Sequence, residues 1–374
     1  MIIAHLSDFH ICAYGARLTQ LQDMPSRSTP VGRGWETVRR EGDWRIQKRR
    51  ASDSSFRIRD QLRLVDDNGI VHRVTKTLWG VGESRAIDEL LGLVDVRRRN
   101  TPQELAENFP SEAELETRLQ RDPENLNLRF CAVAHAMRRD RPDRIVITGD
   151  LTDDAEGFDL ILRGFEPFFE RGQISCVPGN HDVYGTPPLW VRKAHRKKEA
   201  EKRLLWATFA SSVGLPAKGS HVRELGDGVL LVSFDSCHHA PLPGSASGMV
   251  HERDLHKVAR ELDGLGKQVR LACLHHHVVN PPLRHVGLSP IQAGMRLRNA
   301  KRVFAMLKEL RFQLVMNGHR HVGYRYHPAN SPLFLSAPSS TIGCRSGEKP
   351  YYWRVEIDGD SVGAVQEVPI PPRI

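Results

Sequence analysis

Five short apolar runs punctuate this chain, and a polar cluster follows each one at once. The runs are Met1–Leu6, Arg144–Thr148, Ile174–Val177, Arg270–Leu274 and Phe312–Met316. Each is too short for a buried helix and is bounded by turn residues, so each predicts a buried strand. The clusters behind them are Asp8-Phe9-His10, Gly149-Asp150, Gly179-Asn180-His181-Asp182, His275-His276-His277 and Gly318-His319-Arg320-His321. Ligands of open α/β sheets bind in the crevice beyond the carboxyl ends of the strands. The pattern therefore delivers five acid, amide and imidazole clusters to one edge of a sheet.

Other elements follow from the same patterning. Leu333–Ser336, Tyr351–Ile357 and Val362–Val368 predict strands that complete the sheets, with a turn at Asp358-Gly359-Asp360. Pro338–Gly343 reads as a Ser/Thr-rich loop, an ordinary one or one whose backbone approaches the edge where the clusters gather. The long interval from Cys12 to Asn127 holds Ser55–Val65 and Ile70–Thr77, two β-like runs around Asp66-Asp67-Asn68-Gly69, a hairpin turn signal. Helices are expected at Ser84–Arg98, Pro102–Arg121 and Asn127–Arg139. Thr101, Pro102 and Glu104 supply a capping box with proline at the first position of the second of these. Leu189–Val213 predicts a further helix, with Arg192, Lys193, Arg196, Lys197, Lys198, Lys202 and Arg203 crowded into its first half. That half is either a solvated face or a basic wall that steers anions. Residues 1–374 are expected to form one domain, with 20–127 inserted within it.

The clusters offer oxygen from Asp8, Asp150 and Asn180 and imidazole nitrogen from His10, His275, His319 and His321, with no thiolate. Mixed oxygen and nitrogen ligation suits manganese, iron or zinc. Seven groups exceed one tetrahedral zinc and match two ions sharing a carboxylate, the clamp used for displacement at phosphorus. Taken singly, Asp8 and Asp150 also read as turn residues or caps. Two imidazoles at i and i+2 directly after a strand, as in His319 and His321, have no such explanation.

The series D-x-H, G-D-x-x-D, G-N-H-D, H and G-H-x-H, in this order, resembles the calcineurin-like metallophosphoesterases over roughly residues 1–12 and 130–357. The resemblance implies an α/β fold, a two-sheet β sandwich flanked by helices (αββα). It implies that Asp8, His10 and His321 hold one metal, that Asn180, His275 and His319 hold the other, and that Asp150 bridges them. A metal-bridging hydroxide would attack the phosphate ester. His181 would donate a proton to the leaving oxygen or stabilise its charge, with Asp153 as its partner. Asp153 also reads as an N-cap of the helix beginning near 154–157, and Asp182 as structural. Alignment on the strand end favours His275 as the ligand, and a one-residue slip would move that role to His276. Pro281 and Pro282 come later than the proline usual in the family, so that loop differs.

Composition narrows the picture further. Hydrophobic content is 40% and net charge +9, with pI about 9.4, which points to an anionic partner. Residues 27–76 carry thirteen Lys/Arg against seven Asp/Glu. No run approaches the ~18–20 apolar residues of a membrane span. Met1 opens directly into the first strand without a leader, and six cysteines lack any C-x-x-C pair, so a cytoplasmic location is expected. The expected activity is dinuclear-metal-dependent phosphoester hydrolysis, a phosphodiesterase acting on a small phosphodiester or nucleotide. Two alternatives are a DNA-repair-type nuclease that binds nucleic acid through the basic insertion, and a non-catalytic binding scaffold.

Overall fold

The computed structural model describes residues 1–15, 29–30, 34–52, 58–67, 69, 71–78, 82–185, 197–226, 228–238, 246–281, 295–344, 347 and 349–371. Two sheets face each other. One contains Ile2–Leu6, Arg144–Ile147 and Ile174–Cys176 in parallel, with Tyr351–Asp358 and Ser361–Pro369 antiparallel beyond Ile2–Leu6. The other runs Tyr324–Tyr326, Leu333–Ser336, Leu314–Asn317, Val269–Cys273, Val229–Ser233 and His221–Gly226, with its four inner strands parallel. Strands expected from the apolar runs thus form within two residues of their expected bounds. Val229–Ser233, His221–Gly226 and Tyr324–Tyr326 were not anticipated.

Period-2 alternation sorts these strands into layers. Ile3, Val146, Leu271, Cys273, Leu314 and Met316 point between the sheets. Their neighbours Ala4, Leu6, Ile145 and Ile147 point outward onto the helices Leu126–Asp140 and Phe158–Glu170. On the far side Ala272, Leu274 and Val315 meet Glu252–Leu262 and Ala300–Glu309. Both faces of the parallel strands are therefore covered, as such strands require, and the result is the expected helix-flanked sandwich.

The insertion departs from a simple hairpin. Thr29–Pro30, Glu36–Glu41, Trp44–Ser52, Ile58–Val65 and Val71–Leu78 form a third sheet. Trp44, Ile46, Leu62 and Leu64 pack against Glu83–Arg98 through Leu90, Leu93 and Val94. The expected turn is present, with Gly69 N donating to the Asp66 carbonyl at 3.1 Å; residue 68 of that turn, residue 70 of the expected second run and residues 55–57 of the first lie outside the described residues.

The helix expected over Pro102–Arg121 is two, Pro102–Glu107 and Glu112–Arg121. Pro110 removes a donor and pushes Phe109 out of the helical region. The reciprocal capping box is at Ser111 and Glu114, whereas Thr101 only accepts from Glu104 N.

Candidate metal centre

Both sheets deliver their motif residues to one place from the carboxyl ends of parallel strands. Asp8 and His10 follow Ile2–Leu6, Asp150 follows Arg144–Ile147, and Asn180 and His181 follow Ile174–Cys176. His275 follows Val269–Cys273, and His319 and His321 follow Leu314–Asn317. The chain must turn sharply at each strand end. Asp8, His10, Asp150, His319 and His321 all have positive φ, between 51° and 77°. Side chains rarely accept that region, and such strain gathers at functional sites.

The donor atoms converge in two groups. Asp8, His10 and His321 present ligand atoms within 4.8 Å of one another, as do Asp150, His275 and His319. His10 Nε2 lies 2.8 Å from His321 Nε2, and His321 Nε2 lies 3.3 Å from Asp8 Oδ1. His275 Nε2 is 3.0 Å from Asn180 Oδ1, 3.0 Å from His319 Nδ1 and 3.4 Å from Asp150 Oδ2. Asp150 Oδ2 is also 4.0 Å from His10 Nε2, so this carboxylate stands between the groups.

The outer hydrogen bonds set which nitrogen faces inward. His275 Nδ1 donates to the Thr148 carbonyl at 2.7 Å, and His10 Nδ1 donates to Asp153 Oδ1 at 2.7 Å. Each leaves an Nε2 lone pair directed into the cluster, as metal-binding imidazoles require. Backbone amides aim the carboxylates: His181 N donates to Asp150 Oδ1 at 2.9 Å, and His319 N donates to Asp8 at 3.0 Å. Asp182 accepts from Gly179 N, Leu151 N, Thr152 N and Thr152 Oγ1, which ties the third motif to the second.

Asp8 and Asp150 are buried, and among the described residues no lysine or arginine pairs with either. Burial alone would raise the Asp150 carboxyl, but His275, His181 and His10 together hold it well below the usual range. Against the same burial, Asp150 raises His275 to about 9. Buried carboxylates that face only titratable imidazoles, with no lysine or arginine among the described residues beside them, suit bound cations, and the oxygen and nitrogen donors suit manganese, iron or zinc. The residues present fit two such ions.

His276 is not in the cluster. Its Nδ1 lies 2.9 Å from Ser236 Oγ and its Nε2 donates to the Ala246 carbonyl at 2.9 Å, so both nitrogens are engaged behind the site. Asp153 is not a helix cap, because the next helix begins at Phe158 with Gly157 before it. Its carboxylate instead lies beside two imidazoles, with His181 Nδ1 2.9 Å from the Oδ1 that His10 also uses. His181 shares a third group with His10 and Asp150.

Two supports escaped the sequence reading. Pro338–Gly343 is more than an ordinary loop: Ser339 Oγ donates to the Asp8 carbonyl at 2.6 Å and Thr341 Oγ1 to the Phe9 carbonyl at 2.9 Å. A Ser/Thr cluster directly after a sheet strand was the available signal. The expected basic helix spans only Glu199–Ser212 among the described residues, and Arg192, Lys193 and Arg196 lie outside them. Lys197 and Lys202 are paired with Asp154, and Arg203 with Glu199, so these cations form no open wall.

A sequence profile of the calcineurin-like phosphoesterases matches residues 124–323. Among solved structures, the chain resembles a dimetal phosphatase from Danio rerio (14% identity, 65% of this chain and 88% of that one, TM-score 0.41). It also resembles a phosphopantetheinyl hydrolase from Mycobacterium tuberculosis (12%, 52% and 78%, TM-score 0.36). A third is a purple acid phosphatase from yellow lupin (9%, 85% and 55%, TM-score 0.40). No curated protein matches the chain. The profile spans more than half of the 374 residues, and the chain belongs to the calcineurin-like phosphoesterases, metal-dependent hydrolases of phosphate esters.

Proposed function

We propose that the chain is a phosphodiesterase whose two metal ions are held by Asp8, His10 and His321 on one side and by Asn180, His275 and His319 on the other, with Asp150 shared. The observation that carries this reading is the placement of Asp150 Oδ2 between His275 Nε2 and His10 Nε2. When bound, the ions supply positive charge for the attacking and leaving oxygens at phosphorus. The protein's own share is orientation and proton transfer. His181 is the proton donor to the leaving oxygen. Asp153, with Oδ1 2.9 Å from its Nδ1, orients the ring and stabilises the imidazolium, whose Nε2–H is the transferable proton. Because Asp153 also accepts from His10, one carboxylate aligns a metal ligand and the acid together.

The preference for diesters rests on the filled D-x-H and G-H-x-H motifs, which resemble the branch of the family acting on cyclic nucleotides and glycerophosphodiesters. A small substrate is favoured over nucleic acid because several of the insertion's cations among the described residues are already engaged. Lys48 pairs with Asp60 and Glu83, Arg50 with Asp60, and Arg49 donates to Gln61 while lying over Trp35. The filled ligand set argues against a scaffold that has lost its catalysis. The test is a panel of chromogenic mono- and diesters, cyclic nucleotides and single-stranded DNA, each with manganese. The expected result is turnover of the diesters above the monoester. Monoester preference would overturn the diesterase reading, and no turnover with two ions bound would overturn catalysis itself.

A further inference from the structure

Helix Glu199–Ser212 buries Trp206, Phe209 and Ala210 against Phe158 and its neighbours. Lys202 lies on the same face, one turn before Trp206, and is only 2% exposed. A charge in that position must find partners, because an isolated buried ammonium is costly. Its Nζ lies 2.8 Å from Asp154 Oδ1 and donates to the His181 carbonyl at 2.9 Å.

These two partners sit at either end of a functional contact. Asp154 follows Asp153 in the chain, and His181 Nδ1 is the atom 2.9 Å from Asp153 Oδ1. One ammonium therefore ties the segment bearing the carboxylate to the segment bearing the imidazole. The carboxylate segment needs that tie. It precedes the next helix by several residues, and Ala155 and Gly157 both have positive φ, 55° and 95°. Lys197 reinforces it, donating to the Asp154 carbonyl at 2.9 Å and to Glu156 at 2.5 Å.

We infer that Lys202 is a positioning residue for proton transfer: it fixes the separation of His181 and Asp153 and thereby the aim of His181 Nε2. Lys202 touches no reacting atom, and the inference rests on the reading of His181 as the acid. The motifs do not contain this lysine, and its helix lies outside all of them.

The test compares Lys202→Met, which keeps the apolar stem, with the double variant Asp154→Asn/Lys202→Met, which removes the whole ion pair and leaves no lone carboxylate. If the single variant fails to fold, the double variant carries the test. Both are loaded with manganese and assayed beside His181→Ala on two diesters, one with a nitrophenol leaving group and one with an alkyl alcohol. His181→Ala should lose ~10²–10⁴-fold in kcat on the alkyl ester and much less on the nitrophenyl ester, which needs no proton. Both Lys202 variants should repeat that selectivity with a smaller loss, up to ~10²-fold, the usual effect of ~1 Å misplacement. Their metal content should match the wild type. In metal-free crystal structures of these variants the His181–Asp153 contact should open beyond hydrogen-bond reach. An equal loss on both esters, or lost metal, would make Lys202 structural and overturn the inference. Selectivity in His181→Ala alone would overturn the Lys202 role and leave the acid role standing. An unselective His181→Ala would overturn both.

Discussion

Acid should unfold the metal-free protein through histidines that are buried neutral. His5 lies in the first strand, its Nε2 3.1 Å from Thr148 Oγ1 and its Nδ1 without a partner among the described residues. Burial lowers it from 6.5 to about 3. His277 stands behind the metal cluster, 3.2 Å from the Tyr324 hydroxyl, and burial and then Arg320 lower it to about 3 as well. Above pH 6.5 both are neutral folded and unfolded and contribute nothing. Below it the unfolded chain takes up protons that the folded chain refuses, so stability falls until about pH 3. Between pH 7 and 5 each costs about 2 kcal/mol. His275 runs the other way. Its folded value of about 9 favours the folded state fully below 6.5, so acidification returns about 1 kcal/mol. These three together lose about 3 kcal/mol, and His221, lowered by burial to about 4, with His72, His276 and His319, also lowered by burial, deepen that loss. Asp150 and Asp153, held well below the carboxylate range, add nothing in this window, because their stabilisation is lost only below about pH 4. Urea unfolding in chelator, followed by tryptophan fluorescence, should show the midpoint falling by about 1 M or more for a slope of about 3 kcal/mol/M. In His5→Gln the same pH drop should shrink by about 2 kcal/mol. An unchanged wild-type midpoint, or an undiminished drop in the variant, would refute the reasoning.

Two further outcomes are expected. In Gly179→Ala the new Cβ would overlap the Asp150 nitrogen and Oδ1, where ordinary contact needs 3.4 Å; Asp150 must shift by ~1 Å, and kcat on a chromogenic diester should fall by ~10²-fold or more. Affinity for a DNA strand should weaken only shallowly with salt, with a log–log slope of magnitude ~1–2 for one or two phosphate contacts. A steep slope that disappears when Arg45, Lys48, Arg49 and Arg50 are neutralised would instead establish a nucleic-acid surface.

The layered fold and the cluster were legible because each motif combines two independent signals. An apolar run marks a buried strand, and a metal-type donor sits just past its end. His319 and His321 are the clearest case, since packing has no use for two imidazoles there. His275 was separable from His276 only through the strand end, and the structure shows why: the Thr148 carbonyl turns one ring into the cluster while Ser236 and Ala246 hold the other away. The third sheet was harder to read. Glu36–Glu41 is exposed throughout, so it has no apolar face to signal. Trp44–Ser52 shows its core at Trp44 and Ile46 among the described side chains. Lys202 was read as surface charge because a buried lysine cannot be recognised until its partners, Asp154 and the His181 carbonyl, are brought to it by folding.

The most direct measurement is metal content with turnover, in the wild type and in Asp150→Asn. Asp150 faces both groups of donors, so losing its charge should weaken both ions at once. Mass spectrometry should find two ions per wild-type chain, with hydrolysis of a chromogenic diester that a chelator abolishes and manganese restores. Asp150→Asn should keep its fold by circular dichroism, bind fewer than two ions and lose turnover. A wild type saturating at one ion, or an Asp150→Asn variant active at limiting manganese, would contradict the shared-carboxylate centre.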